Sequence, residues 1–268
     1  MLRFAANLST MFDEKDELSR LDHIARLGFR YVEWLFPYGC DKHEIASRLN
    51  ALNLELVLIN TALGSAQKGD RGIGAIPGRE DEFKEAMTQA LEYVAVLDVP
   101  MIHVMAGVCP TVEEREEYLE TFARNLTWAT QELGDLPTQL LVEPLNLVDT
   151  PNYLISTSGQ ALQLIDIVNA NIGLQFDFYH LQIMEGNLGH SLKSHIDRVA
   201  HVQFSSVPGR HEPQYGEVNC DYLFTLLKSL SYKGFIGCEY RPKTTVEEGL
   251  SWAIPYGLGL NVTNSASA

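Results

Sequence analysis

The chain has 268 residues, 46% of them hydrophobic, and a formal charge of −15. That length suits one large domain or two small ones, and the apolar content excludes a disordered chain. The acidic balance disfavours nucleic-acid binding, because no basic stripe offsets its repulsion of phosphates; a small anion held by a metal and a few basic groups is still allowed.

Short apolar runs alternate with longer helical patterns. The opening MLRFAANLSTMFDEKDE has no long apolar core and soon turns acidic, so it does not read as a signal peptide. Residues 2–7 read as a strand, 15–27 as a helix closed by Gly28, and 31–36 as a second strand. Asp41 is placed to cap a helix running to Leu52, and LELVLIN at 54–60 is a third strand. The Gly-rich stretch 61–78 is too long for an ordinary turn and is expected to be a functional loop. A helix over 80–97, a strand over 101–105 and a helix over 111–133 follow, the last opening on the capping-box pattern Thr111-x-x-Glu114.

The second half repeats the rhythm. Strands are predicted at 139–143, 172–177, 199–204 and 235–240, and helices at 157–169, 188–196, 220–230 and 246–253. Eight strands, each followed by a helix, predict a parallel sheet closed into a single (β/α)8 TIM barrel over residues 1–260. No Gly-rich phosphate fingerprint follows the first strand, which argues against an open nucleotide-binding sheet. Residues 261–268 are small and polar and are expected to be a disordered tail; their Asn261-Val262-Thr263 sequon matters only in a secreted protein.

No stretch reaches the ~18 apolar residues of a membrane span. The cysteines Cys40, Cys109, Cys220 and Cys238 lie far apart without a CxxC pair, as expected of reduced thiols in a cytoplasmic protein.

In such barrels the chemistry sits where the strands end. The strand ends here carry Asn7, Glu33 or Trp34, Asn60, His103 or Met105, Glu143, Asp177, Gln203 and Glu239. Inward carboxylates without partners are costly to bury. Glu143, Asp177, Gln203 and Glu239 fall on four consecutive strands at one height, and three carboxylates with one amide oxygen suit a hard cation, Mg²⁺ or Mn²⁺, better than zinc. Three carboxylates leave such a site near −1, and a neutral Gln avoids a fourth negative charge. An ion there would polarise a carbonyl chelated together with its neighbouring hydroxyl. Glu143 and Glu239, on opposite sides, are placed to exchange acid and base roles, the parts of an aldose–ketose type isomerase.

The segments RFAANLSTMF, EWLFPY (33–38), GIGAIPGRE (72–80), LVEPLN (141–146), FDFYHLQIMEGNL (176–188), HVQFSSVPGRHEP (201–213), GEVNCDYLF (216–224) and GCEYRP (237–242) resemble the hydroxypyruvate isomerase family of xylose-isomerase-like barrels, from Arg3 to about Leu250. The resemblance implies Glu143 and Glu239 as the catalytic acid/base pair. It also implies Glu143, Asp177, Gln203 and Glu239 as ligands of Mg²⁺ or Mn²⁺, and interconversion of hydroxypyruvate with tartronate semialdehyde. HVMAG at 103–107 and His211 in RHEP are similar to a subgroup acting on 2-oxo-tetronates, which moves the carbonyl from C2 to C3.

Supporting residues have two readings each. His180 hydrogen-bonds a substrate oxygen, or is a structural His in a loop. His103 lines the pocket, or is a satisfied core histidine. Arg210 and His211 hold a substrate carboxylate, or Arg210 pairs with Glu212 or Glu217 at the surface. Asn7 and Asn60 orient substrate or satisfy strand-end backbone. Trp34, Phe36 and Tyr38 wall the site or simply pack. The expected partner is a small-molecule carboxylate substrate, with no nucleic acid and no membrane, and a homo-oligomer is allowed. Competing readings are a ketose 3-epimerase, which needs a longer sugar pocket; an endonuclease IV-like phosphodiesterase, which needs a His-rich multi-metal site and a basic surface; and a non-catalytic metabolite-binding barrel.

Overall fold

The computed structural model describes residues 1–12 and 16–259. Eight parallel strands close into a barrel in sequence order: β1 (Arg3–Asn7), β2 (Tyr31–Glu33), β3 (Glu55–Asn60), β4 (Met101–His103), β5 (Gln139–Val142), β6 (Ile172–Asp177), β7 (Val199–Phe204) and β8 (Phe235–Cys238), with β8 pairing back onto β1. Around them lie α1 (Ser19–Arg26), α2 (Lys42–Leu52), α3 (Glu80–Leu97), α4 (Arg115–Glu132), α5 (Ser158–Val168), α6 (Phe178–Met184), α7 (Leu188–His195), α8 (Cys220–Ser229) and α9 (Val246–Gly249). Residue 15, where the first helix was expected to begin, and the tail 261–268 with its sequon lie outside the described residues.

Local chemistry sets the helix boundaries. Asp41 Oδ1 accepts the N–H groups of His43 and Glu44, each at 3.0 Å, starting α2 as predicted. Asn219 and Thr245 cap α8 and α9 in the same way. Asn53, Asp98 and Asn169 end α2, α3 and α5 in the left-handed region that short polar side chains tolerate. Thr111 and Glu114 do bond each other, at 2.8 Å between side chains, but one turn ahead of α4 rather than within it.

The strands predicted to run on to residues 36, 105, 143 and 240 stop earlier, at Glu33, His103, Val142 and Cys238. There the chain leaves the ladder to aim side chains across the barrel mouth. The larger difference follows β6: α6 starts directly after Asp177, whose Oδ1 accepts Tyr179 N–H at 2.8 Å, so His180 stands on a helix and not in a loop. No periodic apolar face announces a helix of only two turns, because it is buried on several sides.

Most apolar side chains form one core between strands and helices, and Trp34 belongs to it. A smaller cluster of Ala5, Val57, Leu58, Met101 and Leu141 fills the barrel floor. Above that floor the interior turns polar. Tyr38 packs edge-on against Tyr93 and donates its O–H to Asn60 O, so it braces the outer layer instead of walling the site. All four cysteines are free thiols, and no helix among the described residues is long and apolar enough to cross a membrane.

The 61–78 loop is strapped down. Arg79 grips Asp70 with both guanidinium nitrogens at 2.9 and 2.8 Å, and Asp70 also accepts Ser65 N–H at 2.7 Å. Gly74 N–H and Ala75 N–H donate to Met105 O and Ala106 O. Gly72 must be glycine: its φ is +106°, and a Cβ would sit 2.6 Å from Met105 backbone.

Candidate active site

Side chains alternate along a strand, so residues two apart share a face. Leu141 belongs to the apolar floor, and two residues on stands Glu143. The same step leads from Gln175 to Asp177, from His201 to Gln203 and from Gly237 to Glu239. The register sets Asp177 beside Gln203, and Gln203 beside Gly237. Glu143, Asp177 and Glu239 are thus brought to the barrel mouth, at most 7% exposed.

Three carboxylates at that depth repel one another and lack water. Burial, then Glu239 and Asp177, push the Glu143 carboxyl well above its usual range. Burial, then Glu239, push Asp177 up to about 7. Burial also raises Glu239, against the pull of Arg210. Glu143 Oε1 and Asp177 Oδ2 are buried with no hydrogen-bond partner among the described residues. Buried, unpaired carboxylate oxygens facing one another fit a cation better than they fit each other.

Arg210 supplies the positive charge. Its Nη2 lies 2.8 Å from Glu239 Oε1, and its guanidinium stacks 5.0 Å over the Tyr179 ring. Burial opposes its charge, but Glu239, Asp177 and Glu143 outweigh that and keep it protonated. Its φ of +53° is unusual for a residue with a Cβ; N–H donation to Ser206 O and acceptance from Arg241 N–H hold it there. Neither surface partner holds it: Glu212 is fully buried and accepts Lys243 N–H, and Glu217 accepts from Gln182. His211 turns its Nδ1 to Arg241 O at 2.9 Å.

Burial favours the neutral form of two site histidines, His103 and His180. Burial, then His201, drive His103 down to about 3; its Nδ1 is 3.2 Å from Glu143 Oε2 but out of hydrogen-bond alignment. Burial, then Arg210, push His180 well below its usual value, and its Nε2 lies 3.5 Å from Asp177 Oδ2. One donor atom each from Glu143, Asp177 and His180 lie within 4.8 Å of one another, a spacing that can hold a metal ion.

Gln203 is tied below the acids. Its Oε1 accepts from Gln175 Nε2 at 2.5 Å and its Nε2 donates to Glu33 Oε2 at 2.9 Å. Asn7 also points down, donating Nδ2 to Glu33 Oε2 at 2.9 Å while its Oδ1 takes Ser9 N–H. Asn60 donates to Met105 Sδ, and its buried Oδ1 has no partner among the described residues.

The hub of this lower layer is Glu33, fully buried, with His201 Nε2 at 2.5 Å from its other oxygen. Sequence reasoning noted Glu33 as a strand end and gave it no role. Its signal is an acid ending the apolar strand β2, whose side chain crosses the barrel interior to His201 of β7 and Gly237 of β8. Asn146 and Tyr153 were also missed: the first contacts His180, and the second holds Ala106 N–H with its hydroxyl at 3.0 Å.

Many barrels carry an acidic cluster at their carboxyl-end mouth; this chain belongs to the xylose isomerase-like TIM barrels, whose model matches residues 21–256. Its relatives narrow the group. It is 41% identical to hydroxypyruvate isomerase of Escherichia coli strain K12 over 96% of this chain and 100% of the relative, and 43% identical to 2-oxo-tetronate isomerase of Cupriavidus necator over 96% and 99%. A solved Brucella melitensis structure, described as an AP endonuclease of family 2, superposes with a TM-score of 0.93 at 44% identity, covering 96% of this chain and 99% of that one.

Proposed function

We propose that this protein is an isomerase of a small 2-oxo acid that uses a divalent cation, Mg²⁺ or Mn²⁺, and shifts a carbonyl between adjacent carbons. The observation that carries it is the trio Glu143, Asp177 and Glu239, buried together with Glu143 Oε1 and Asp177 Oδ2 unpaired and Glu239 held by Arg210. Near-full-length identity to hydroxypyruvate and 2-oxo-tetronate isomerases supports the substrate class.

Glu143, Asp177 and Glu239 would hold the cation, and the Gln203 amide oxygen would join them only on giving up its bond from Gln175 Nε2. Bound there, it would supply Lewis-acid polarisation of the substrate carbonyl. The chain's own residues do the rest. Glu143 and Glu239 exchange the proton between neighbouring carbons, and burial that raises both carboxyls brings them toward the range where a carboxylate is an effective base near neutral pH. Arg210 fixes the substrate carboxylate with His211 in the same loop, while His180, His103 and Asn60 line the hydroxyl end and Asn7 holds the layer beneath. Barrel closure around the acids excludes water.

A phosphodiesterase reading does not suit the chain. A charge of −15 repels a phosphate backbone, and the mouth offers two histidines, His103 and His180, both neutral. The deciding experiment incubates the purified, Mn²⁺-supplemented protein with hydroxypyruvate, 2-oxo-erythronate and 2-oxo-threonate and follows the carbonyl carbon by ¹³C NMR. The expected result is carbonyl migration in at least one; no migration in any of the three would sink the proposal.

A further inference from the structure

The ring of His180 faces two elements. On one side is the loop after β5. There Nδ1 accepts the backbone N–H of Asn146 at 3.1 Å, and Asn146 Nδ2 lies 2.7 Å from the same nitrogen. The Asn146 amide cannot turn over. Its Oδ1 already accepts the N–H groups of Val148 at 3.1 Å and Asp149 at 2.8 Å, and its Nδ2 donates to Asp149 Oδ2 at 3.1 Å. Asp149 is held in turn by the Tyr179 hydroxyl at 2.9 Å. On the other side, His180 Nε2 faces Asp177 Oδ2.

Both groups that face Nδ1 are therefore donors. A neutral imidazole has one bare nitrogen and one N–H. Nδ1 is the bare one, so the proton sits on Nε2, toward the acids. A ring nitrogen that carries a proton has no lone pair for a cation. Moving that proton to Nδ1 would set an N–H against two other N–H donors.

We propose that Asn146 is a positioning residue that locks His180 in its Nε2–H tautomer, making the ring a hydrogen-bond donor to a substrate oxygen beside Glu143 and Asp177 and not a ligand of the metal. The substrate half of this rests on the isomerase reading above; the tautomer does not. It also divides the three clustered groups: the two carboxylates are available to a cation, and the imidazole is reserved for substrate. The arrangement is the one second-layer partners commonly impose on a histidine, here acting through a loop amide.

The test is Asn146→Asp, which keeps an oxygen for Val148 and Asp149 N–H and replaces the Nδ2 donor with an acceptor. A carboxylate oxygen in place of Nδ2, 2.7 Å from Nδ1, would outweigh the remaining backbone N–H, so the His180 proton is expected to move to Nδ1. Two-dimensional ¹H–¹⁵N spectra of histidine-labelled protein read this directly, with His180 signals assigned by their loss in His180→Gln. The wild type should show a bare Nδ1 and a protonated Nε2. Asn146→Asp should show a protonated Nδ1, and its kcat/KM on the panel substrate should fall about 10- to 100-fold. Asn146→Ala, which retains the backbone N–H, should keep the wild-type tautomer. A wild-type spectrum with the proton on Nδ1 overturns the inference, whatever the variants' stability. A switched tautomer with wild-type turnover overturns the positioning role while the isomerase reading stands. A wild type with the stated tautomer that isomerises nothing removes the substrate role and that reading together.

Discussion

Gly237 is where the barrel interior is most sensitive to one added methyl. A Cβ at this position would lie 2.5 Å from Glu33 Cδ and 2.7 Å from Oε2, and closer still to Oε1. The Glu33 carboxylate has nowhere cheap to go, because Asn7, Gln203 and His201 all hold it and it is fully buried. Gly237→Ala should therefore cost about 1–3 kcal/mol of overpacking. Losing one charge-assisted hydrogen bond as the carboxylate shifts adds about 1.5–3 kcal/mol. The total of roughly 3–5 kcal/mol is a large share of the stability of an ordinary domain, and it predicts a Tm lower by about 10 °C. Thermal unfolding followed by circular dichroism and calorimetry measures it. Removing the obstructing side chain should relieve the clash, so Gly237→Ala should cost distinctly less in a Glu33→Ala background than in the wild type. A cost below about 1 kcal/mol, or the same cost in both backgrounds, would refute the steric argument.

Three further outcomes follow from the site. Glu143→Gln and Glu239→Gln should each lower kcat about 10²- to 10⁴-fold with the fold retained, and near-wild-type turnover in either would remove it from proton transfer. Chelation with EDTA should abolish turnover and added Mg²⁺ or Mn²⁺ should restore it; a chelated protein at full activity would take the cation out of the chemistry. Asp177 holds its proton up to about pH 7 in the fold against 3.8 for the free group. The folded state thus binds more protons across that window. The stabilisation is complete below the lower value and is lost as pH rises through the upper one. The Tm of the chelated wild type relative to Asp177→Asn should therefore fall between about pH 4 and about pH 7. Added Mn²⁺ should oppose the fall, since a cation favours the deprotonated carboxylate; a Tm difference that rises with pH in chelator would contradict the burial argument.

The order of the elements was legible from sequence alone. Apolar runs of strand length separated by capped helical patterns gave all eight strands, because burial on both faces and polar punctuation are local properties of the chain. The acids were legible for a related reason: Glu143, Asp177 and Glu239 interrupt or end apolar runs, and a charge there has no innocent explanation. What adjacency in space does was not legible. Nothing near Glu33 in the chain shows that Asn7, His201 and Gln203 converge on it from β1 and β7. Nor does the tetrapeptide around Arg210 show that the guanidinium turns inward to Glu239 when Glu212 is only two residues away.

The sequence by itself therefore determined the barrel and the kind of groups at its mouth, since periodicity and composition act within a few residues. The tertiary structure alone decided which groups face which. Closure of β8 onto β1 brings residues from opposite ends of the chain into one dry space. There, burial decides which carboxyls hold their protons, and a backbone N–H from the loop after β5 decides which nitrogen of His180 carries its proton.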